Sequence, residues 1–222
     1  LGIVGKTGSG KTTLLKLLMR EFDIKDGDIH LDNRSVTSYK FDALRSAIGY
    51  VPQDHFLFSA TIADNIAFAK PDASLQEVME VSKLASIHDD IIRFPEAYET
   101  MVGERGVTLS GGQKQRISIA RALILEPEIL ILDDSLSAVD ARTEEYILHA
   151  LREIRKNKTT IITAHRLSAI KHADLIIVLD DGEIIERGNH EVLMQQNGWY
   201  RKMYEHQQLE SLVEQGGSRH AT

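Results

Sequence analysis

The architecture of this 222-residue sequence follows from eight residues near its start, Gly5-Lys6-Thr7-Gly8-Ser9-Gly10-Lys11-Thr12. They fit the pattern G-x-x-x-x-G-K-[ST], follow the apolar run Leu1–Val4 and lead into Thr13–Met19, whose leucines repeat at helical spacing. A strand, a glycine-rich loop and a helix in this order predict a phosphate-binding loop. The glycines let backbone N–H groups turn inward around a polyphosphate, and the helix N-terminus adds its positive dipole. A glycine-rich turn without a ligand is the alternative, and it leaves the surrounding pattern unexplained.

This loop predicts a site for a nucleoside triphosphate with Mg²⁺. The Lys11 ammonium can reach the β- and γ-phosphates, and the Thr12 hydroxyl can ligate the metal ion. The predicted nucleotide-binding residues of the loop and the helix start are Gly5, Thr7, Gly8, Ser9, Gly10, Lys11, Thr12 and Thr13.

Composition and periodicity predict an α/β fold with a parallel sheet covered by helices. The net charge of −7 argues against a nucleic-acid partner, since such proteins usually carry a basic face. The sequence contains no cysteine, so thiolate metal sites and disulfides are excluded. Asp181-Gly182 predicts a hairpin turn after the last apolar strand. The predicted strands are Leu1–Val4, Asp28–Leu31, Ile48–Val51, Ile129–Leu132, Thr159–Thr163, Leu175–Leu179 and Glu183–Glu186.

The order of these elements predicts a core interrupted by a helical subdomain. We expect residues 1–60 to form the first part of the core, 61–125 the helical subdomain, 126–206 the second part of the core, and 207–222 a flexible tail. Helix 141–156 is expected to pack Tyr146, Ile147, Ala150, Leu151 and Ile154 on the core. The chain begins without Met inside a strand, so we expect it to be a fragment that lacks its first strands.

Ile129–Asp134 is an apolar strand that ends in two carboxylates. Ligands of open α/β sheets lie at the carboxyl ends of strands, so both acids should face the phosphate loop. Asp133 is predicted to hold Mg²⁺, and Asp134 to lie where an attacking water must be oriented. A helix cap or a turn is the alternative interpretation of two aspartates after a strand.

A second glycine cluster, Leu109–Gln113, opens another helix. Ser110 and the N–H groups of Gly111 and Gly112 form a further anion-binding helix start. One nucleotide needs only one such cradle, and a straight helix of roughly 20 Å keeps its two ends far apart. The second cradle is therefore expected to serve a nucleotide bound to another molecule.

Together these motifs resemble the nucleotide-binding domain of an ATP-binding-cassette (ABC) transporter, from residue 1 to about residue 206. The resemblance implies a P-loop NTPase (RecA-like) core of the ABC ATPase type with its helical subdomain. Thr100–Gly106 and Gln53–Phe58 with Thr61-Ile62 are similar to segments of exporters. The ordered motifs are Gly5–Thr12, Gln53 in Val51–Asp54, Leu109–Gln113, Ile129–Asp134, Ser137–Asp140, and His165 in Thr163–Arg166.

The resemblance implies ATP and Mg²⁺ as cofactors and gives catalytic roles to matching residues. Gln53 would ligate Mg²⁺ with Thr12 and Asp133 and report on the γ-phosphate. His165 would hydrogen-bond the γ-phosphate and hold the transition-state geometry, beside Asp134.

The resemblance also implies partners. Two such domains would close head-to-tail, each ATP lying between the Lys11 loop of one and the signature motif, Leu109–Gln113, of the other, with Asp140 crossing to the partner. Glu104 and Arg105 would touch coupling helices of a transmembrane domain, which we expect to be fused on the N-terminal side. The residues that bind ATP in trans would be Ser110, Gly111, Gly112 and Gln113.

One position departs from the family pattern, because Asp134 stands where most members have Glu. Its carboxylate falls back by roughly 1 Å, and a misplacement of about 1 Å can cost on the order of 10²-fold in rate. We therefore expect slow hydrolysis of the ATP held by this loop. The substitution resembles one half of heterodimeric bacterial exporters, whose partner carries the Glu; a homodimer is the alternative.

The resemblance implies an ATPase that couples ATP to export, with a soluble domain at the cytoplasmic face of the cell membrane. It favours hydrophobic cargo of the multidrug or lipid-like type. An ATP-gated dimerisation clamp with little hydrolysis of its own is the first alternative. A non-transport relative is the second. The residue that stacks on adenine in this family would lie upstream of Leu1.

Overall fold

The computed structural model describes residues 1–103 and 107–217, in which strands and helices alternate as expected. The strands are β1 (Gly2–Gly5), β2 (His30–Leu31), β3 (Arg34–Ser35), β4 (Ile48–Val51), β5 (Ile129–Asp133), β6 (Thr159–Thr163), β7 (Ile176–Asp180) and β8 (Glu183–Gly188). The helices are α1 (Lys11–Leu18), α2 (Phe41–Ser46), α3 (Ile62–Ala67), α4 (Leu75–Leu84), α5 (His88–Ile91), α6 (Gly111–Leu123), α7 (Ala141–Ile154), α8 (His190–Gln196) and α9 (Trp199–Gly217).

The chain divides into two compact units, of which the first joins Leu1–Lys11 to Ile162–Thr222. Its strands follow the order β6-β1-β7-β8. β1 has parallel neighbours on both sides and is buried along its whole length, which explains the apolar run before the phosphate loop. β7 and β8 pair antiparallel, so the predicted hairpin at Asp181-Gly182 is confirmed.

The second unit is Thr12–Ile161, in which the strand order is β4-β5-β6. β4 and β5 are parallel, with Val51 opposite Leu132, and the apolar residues of β5 from Leu130 onward are fully buried. α6 packs against α3, α4 and β4. The stretch 61–125 holds α3 to α6, so its predicted helical character is confirmed.

α7 buries a different face from the one that its sequence predicts. Ile147 and Leu151 are buried as expected, but Tyr146 is 59% exposed and Ile154 is 50% exposed. The buried stripe is completed by Leu148 instead. Leu148 directly follows Ile147 and takes the buried position that was expected for Tyr146. The packed face of α7 is therefore rotated around the helix axis, away from Tyr146 and toward Leu148.

α9 extends beyond the point where a tail was expected to begin. The helix continues to Gly217, so residues 207–217 are helical, and residues 218–222 lie outside the described part of the chain. At the start of this stretch, the Gln207 side chain is hydrogen-bonded to backbone groups of the segment after β6. Within residues 1–103 and 107–217, no helix has the length and apolar character that crossing a membrane requires.

Candidate functional site

The phosphate loop between β1 and α1 depends on glycine for its conformation. Gly8 and Gly10 have φ angles of +83° and +99°, which residues with a side chain rarely adopt. Gly5 meets a different constraint, because a Cβ there would collide with the carbonyl oxygen of Leu179. The loop therefore has a backbone shape in which successive N–H groups can converge on an anion.

Two side chains complete the loop. The Lys11 ammonium donates to the carbonyl oxygens of Gly5 and Lys6 at 2.8 and 2.9 Å. Ser9 is 3% exposed, and its buried Oγ has no hydrogen-bond partner among the described residues. A buried hydroxyl without a partner costs about 1–3 kcal/mol, which a phosphate oxygen at this place would offset. The other predicted loop and helix residues are exposed: Thr7, Gly8 and Thr13.

Asp133 ends β5 as a buried carboxylate that is 2% exposed. The Thr12 hydroxyl donates to its Oδ1 at 3.3 Å, and the Tyr50 hydroxyl donates to its Oδ2 at 3.2 Å. Burial and the Asp133 carboxylate both raise the pKa of Tyr50, so the phenol stays protonated and remains a donor. Hydroxyl and carboxylate oxygens are ligands that Mg²⁺ prefers, so Thr12 and Asp133 together fit this ion.

Gln53 lies two residues beyond the end of β4 and is exposed. β4 and β5 are parallel neighbours with Val51 opposite Leu132. Gln53 and Asp133 therefore leave the sheet at the same edge, which is where ligands of α/β sheets bind. In the structure, Gln53 and Asp133 thus lie at or just beyond the ends of neighbouring strands, at the same edge of the sheet. A role of Gln53 in holding Mg²⁺ stays a prediction.

Asp134 starts a tight turn directly after β5, with a φ of +47° that Asp tolerates better than most residues. The Ser137 hydroxyl donates to the Asp134 carbonyl oxygen at 2.9 Å. The buried amide of Gln115, on α6, donates to the Ser137 Oγ at 3.2 Å and accepts from the Ala138 N–H at 2.9 Å. These bonds anchor the backbone at Asp134 to α6.

α6 begins at the second glycine cluster with Ser110 as its N-cap. The Ser110 Oγ accepts from the Gln113 N–H at 3.2 Å, and the Gln113 Oε1 accepts from the Ser110 N–H at 3.0 Å, forming a capping box. A Cβ on Gly112 would lie 2.8 Å from the Ala138 carbonyl oxygen, so glycine allows a close backbone approach here. Ser110 and Gly111 are exposed, which leaves this helix start accessible to an anion.

A carboxylate on α5 holds the first turns of α6 in place. Asp90 accepts from the Gln113 Nε2 at 3.1 Å and from the Arg116 Nη1 at 2.8 Å. Arg116 also donates to the carbonyl oxygens of Ser86 and Gly112. The capped helix start is therefore fixed through side chains as well as through its own backbone.

Asp140 and His165 each lie at the end of an element. The Asp140 carboxylate caps α7 by accepting from the Thr143 N–H at 3.0 Å, and this bond lowers the pKa of Asp140. Capping is the ordinary structural role of such a residue. His165 is exposed, two residues beyond β6, and its carbonyl oxygen accepts from the Gln207 Nε2 at 2.7 Å.

Several residues that hold the predicted ones in place carry little signal in the sequence. Tyr50 could be inferred, because it lies on the strand next to the one that ends in Asp133. The others are polar residues within helices, whose partners are distant in the chain: Asp90, Gln115 and Gln207. The predicted coupling residues Glu104 and Arg105 lie outside the described residues.

Three features together define a P-loop nucleotide-binding domain. They are the parallel strands, the glycine-dependent phosphate loop before a helix, and the buried Asp133 beside the Thr12 hydroxyl. A family model described as ABC transporter matches residues 1–137, more than half of the chain. The chain belongs to this family and is one of its ATP-binding domains, which are ATPases. The family resemblance drawn from the sequence motifs is therefore confirmed.

Relatives match almost the whole chain. It is 58% identical over 214 residues to the multidrug resistance-like ATP-binding protein MdlA of Escherichia coli (strain K12), covering 96% of this chain and 36% of that protein. It is 56% identical over 218 residues to the probable multidrug resistance ABC transporter ATP-binding/permease protein YheI of Bacillus subtilis (strain 168), covering 98% and 37%. The chain thus spans little more than a third of the length of these relatives.

A solved structure supports the same fold. The structure of a bacterial Atm1-family ABC exporter with ATP bound has a TM-score of 0.89 and 46% sequence identity, covering 93% of this chain and 36% of that one. The predicted α/β fold with a parallel-sheet core is confirmed by this likeness.

Proposed function

We propose that this domain binds and hydrolyses ATP at a head-to-tail interface with a second nucleotide-binding domain and thereby drives export of hydrophobic, multidrug-type compounds. The substrate class is supported by the multidrug names of MdlA and YheI. YheI is named an ATP-binding/permease protein, which supports a transmembrane domain fused to this one. The proposed location is the cytoplasmic face of the cell membrane.

The exposed, capped start of α6 is the observation that carries the proposal. The phosphate loop is already a complete cradle for one polyphosphate, with its own lysine and helix start. Ser110 and Gly111 form a second one, exposed and without a lysine-bearing loop. We assign the second cradle, with Gly112 and Gln113, to ATP held by the partner domain. Asp140 is assigned to the same interface.

Within the domain, the proposed site uses the loop and the carboxyl ends of two strands. Lys11 would leave its loop carbonyls for phosphate oxygens, and His165 would donate to the γ-phosphate. Thr12, Asp133 and Gln53 would hold Mg²⁺, supported by the 3.3 Å approach of Thr12 to Asp133. When bound, the ion neutralises charge on the β- and γ-phosphate oxygens.

Two predicted residues are assigned to the transmembrane partner. Glu104 and Arg105 precede the signature in a segment that is similar to the one typical of exporters. We propose that they contact the coupling helices, as the family resemblance implies.

We further propose that Asp134 makes hydrolysis slow at this chain's own phosphate loop. Its side chain is one methylene shorter than Glu, and its backbone is anchored through Ser137 and Gln115. The backbone at this position therefore has little freedom to move toward the attacking water and compensate for the shorter side chain. A water-orienting group must lie within about 3 Å of its water, so the shortfall lowers the rate rather than the affinity.

The test uses the full-length protein together with its partner. If a Glu-bearing partner completes the competent site, Asp134→Asn should leave most turnover intact, while Asn or Gln at the equivalent acid of the partner should abolish it. Asp134→Glu should raise single-turnover hydrolysis at this loop about tenfold or more. Asp42→Asn, an exposed aspartate of α2, is the matched control. Loss of all turnover with Asp134→Asn alone would show instead that this site is the working one, as in a homodimer.

A second candidate function is favoured by Asp134 as well. In an ATP-gated clamp, nucleotide holds the two domains together and hydrolysis by this chain is incidental. Single-turnover hydrolysis by the paired domains, measured against retention of bound ATP, separates the two. Retention of ATP at both loops, without hydrolysis during transport, would favour the clamp.

A further inference from the structure

One side-chain amide on α9 binds two backbone groups of the segment that carries His165. The Gln207 Nε2 donates to the His165 carbonyl oxygen at 2.7 Å, and the Gln207 Oε1 accepts from the Leu167 N–H at 2.9 Å. An amide side chain offers a donor and an acceptor, and here both bind the same short segment. The two bonds bracket Arg166 and so restrain the backbone dihedrals that aim the His165 side chain.

The helix that carries Gln207 is itself firmly held at its start. The Glu186 carboxylate, on β8, accepts from the backbone N–H groups of Trp199 and Tyr200, where a negative charge also complements the helix dipole. The Tyr200 side chain is fully buried, and its hydroxyl lies 2.8 Å from the His190 Nδ1. α9 therefore cannot slide or turn at this end without breaking these contacts.

Helix geometry relates this anchored start of α9 to the position of Gln207. Seven residues separate Tyr200 from Gln207, which is about two turns and roughly 10 Å of helix, so both lie on the same face. The Gln207 amide therefore lies on a helix whose position is fixed two turns earlier, at Tyr200. His165 is an exposed residue two positions beyond the end of β6, in the segment that the Gln207 amide binds.

We propose that Gln207 is a positioning residue for hydrolysis, which holds the His165 segment so that the imidazole meets the γ-phosphate in a fixed orientation. The inference rests on the proposed function of His165. A glutamine on the C-terminal helix thereby acts on the reaction without touching ATP. The alternative is a purely structural role, in which the Gln207 amide only stabilises the packing of α9.

The test measures the single-turnover rate of hydrolysis at this chain's own phosphate loop and the Kd for ATP, in the full-length protein paired with a partner whose equivalent acid is replaced by Gln. Gln207→Ala should lower this single-turnover rate about tenfold and change the Kd for ATP less than about twofold, because orientation and not binding is lost. Gln207→Glu keeps the acceptor for Leu167 but loses the donor to His165. The single-turnover rate of this variant relative to the parent should recover as the pH is lowered toward the pKa of the new carboxyl, since the protonated acid can donate again. Gln195→Ala, an exposed glutamine of α8, is the matched control and should change neither constant.

A second readout follows the backbone directly. Hydrogen exchange of the Leu167 amide, in the same full-length protein, should quicken in Gln207→Ala and stay unchanged in Gln195→Ala. Unchanged exchange at Leu167 would overturn the proposal even if the variant were less active.

The decisive comparison places Gln207→Ala in a His165→Ala background. A positioning role predicts no further loss of the single-turnover rate there, because the group to be positioned is absent. An equal loss in both backgrounds would overturn the positioning role and leave a structural one. If His165→Ala alone left the rate unchanged, the proposed function of His165 would fail first, and this inference would fall with it.

Discussion

The phosphate loop and the start of α6 use the same residue type for different physical reasons. In the loop, Gly8 and Gly10 adopt positive φ angles that other residues avoid. At the start of α6, Gly111 and Gly112 have ordinary helical conformations, and Gly112 is needed because the Ala138 carbonyl oxygen approaches closely. In the first region glycine is required for its positive φ angles, and in the second region it is required at Gly112 because a Cβ atom would not fit.

The two regions also differ in what stabilises them. The loop is held largely by its own residues: the Ser9 N–H donates to the Lys6 carbonyl oxygen, and Lys11 donates to two carbonyl oxygens of the loop. One bond comes from outside the motif, from the Gly182 N–H to the Ser9 carbonyl oxygen at 3.0 Å. The start of α6 depends on residues outside its motif, above all Asp90. A loop of the first kind is encoded mostly by consecutive residues, whereas a helix start of the second kind depends on side-chain partners that the motif does not contain.

The largest effect is expected from Gly5→Ala, because the new Cβ would collide with the Leu179 backbone, which cannot move without disturbing β7. We expect a loss of about 3 kcal/mol or more in the free energy of unfolding, together with loss of ATP binding. Gly8→Ala is the matched control: its φ is +83°, but the space around it is open. It should cost about 1–2 kcal/mol. Thermal unfolding and titration with a fluorescent ATP analogue measure both. Equal losses would mean that dihedral strain, and not the approach to Leu179, limits the loop.

Gly112→Ala tests the second kind of glycine. Its Cβ would lie 2.8 Å from the Ala138 carbonyl oxygen, so we expect a cost of about 1–3 kcal/mol in stability with little change in ATP affinity. At Gly111 the new Cβ would meet the Ala138 Cβ at an ordinary 3.5 Å. Gly111→Ala should therefore leave stability unchanged or raise it by up to about 1 kcal/mol, as alanine favours helix. The pair is compared by chemical unfolding, and a larger cost at Gly111 would contradict the difference.

The sequence predicted most of the fold because its strands are continuous apolar runs bounded by turn residues. β4 and β6 have the predicted bounds, and Asp133 lies near the helix that follows the phosphate loop, as its position at the end of β5 implies. Such elements are encoded locally. β3 was missed because Arg34–Ser35 is a strand of two residues, too short for any periodicity.

The rest could not be predicted because it depends on packing between distant segments. Nothing in the periodicity of α7 distinguishes Ile154 from Ile147, and only the neighbouring elements decide which of them is buried. Asp90 contacts Arg116 across 26 residues, and Gln207 contacts His165 across 42. Their patterns are those of exposed polar residues on helices, and their roles follow from the tertiary structure alone.

A smaller effect is expected from Asp90, the residue on which the start of α6 relies. Asp90→Ala removes the carboxylate oxygens that accept hydrogen bonds from Gln113 and from Arg116, and the Arg116 side chain is only 14% exposed. We expect a loss of about 1.5 kcal/mol in stability, typical of a hydrogen bond to a charged group. Asp90→Asn keeps one acceptor and should lose about half as much. Chemical unfolding gives both values, and an unchanged Asp90→Ala variant would mean that the capping box alone is sufficient.

The smallest effect on stability is expected at Ser110, where capping can be separated from the proposed contact with the partner's ATP. Ser110→Ala removes the acceptor for the Gln113 N–H and should cost about 1 kcal/mol. Ser110→Asp restores that acceptor and adds a charge that the helix dipole favours, so stability should return to the parent value. The same charge would repel a phosphate, so turnover by the full-length protein with its partner should stay low in both variants. If Ser110→Asp recovered turnover together with stability, Ser110 would be a cap and nothing more, and the second cradle would lose its proposed ligand.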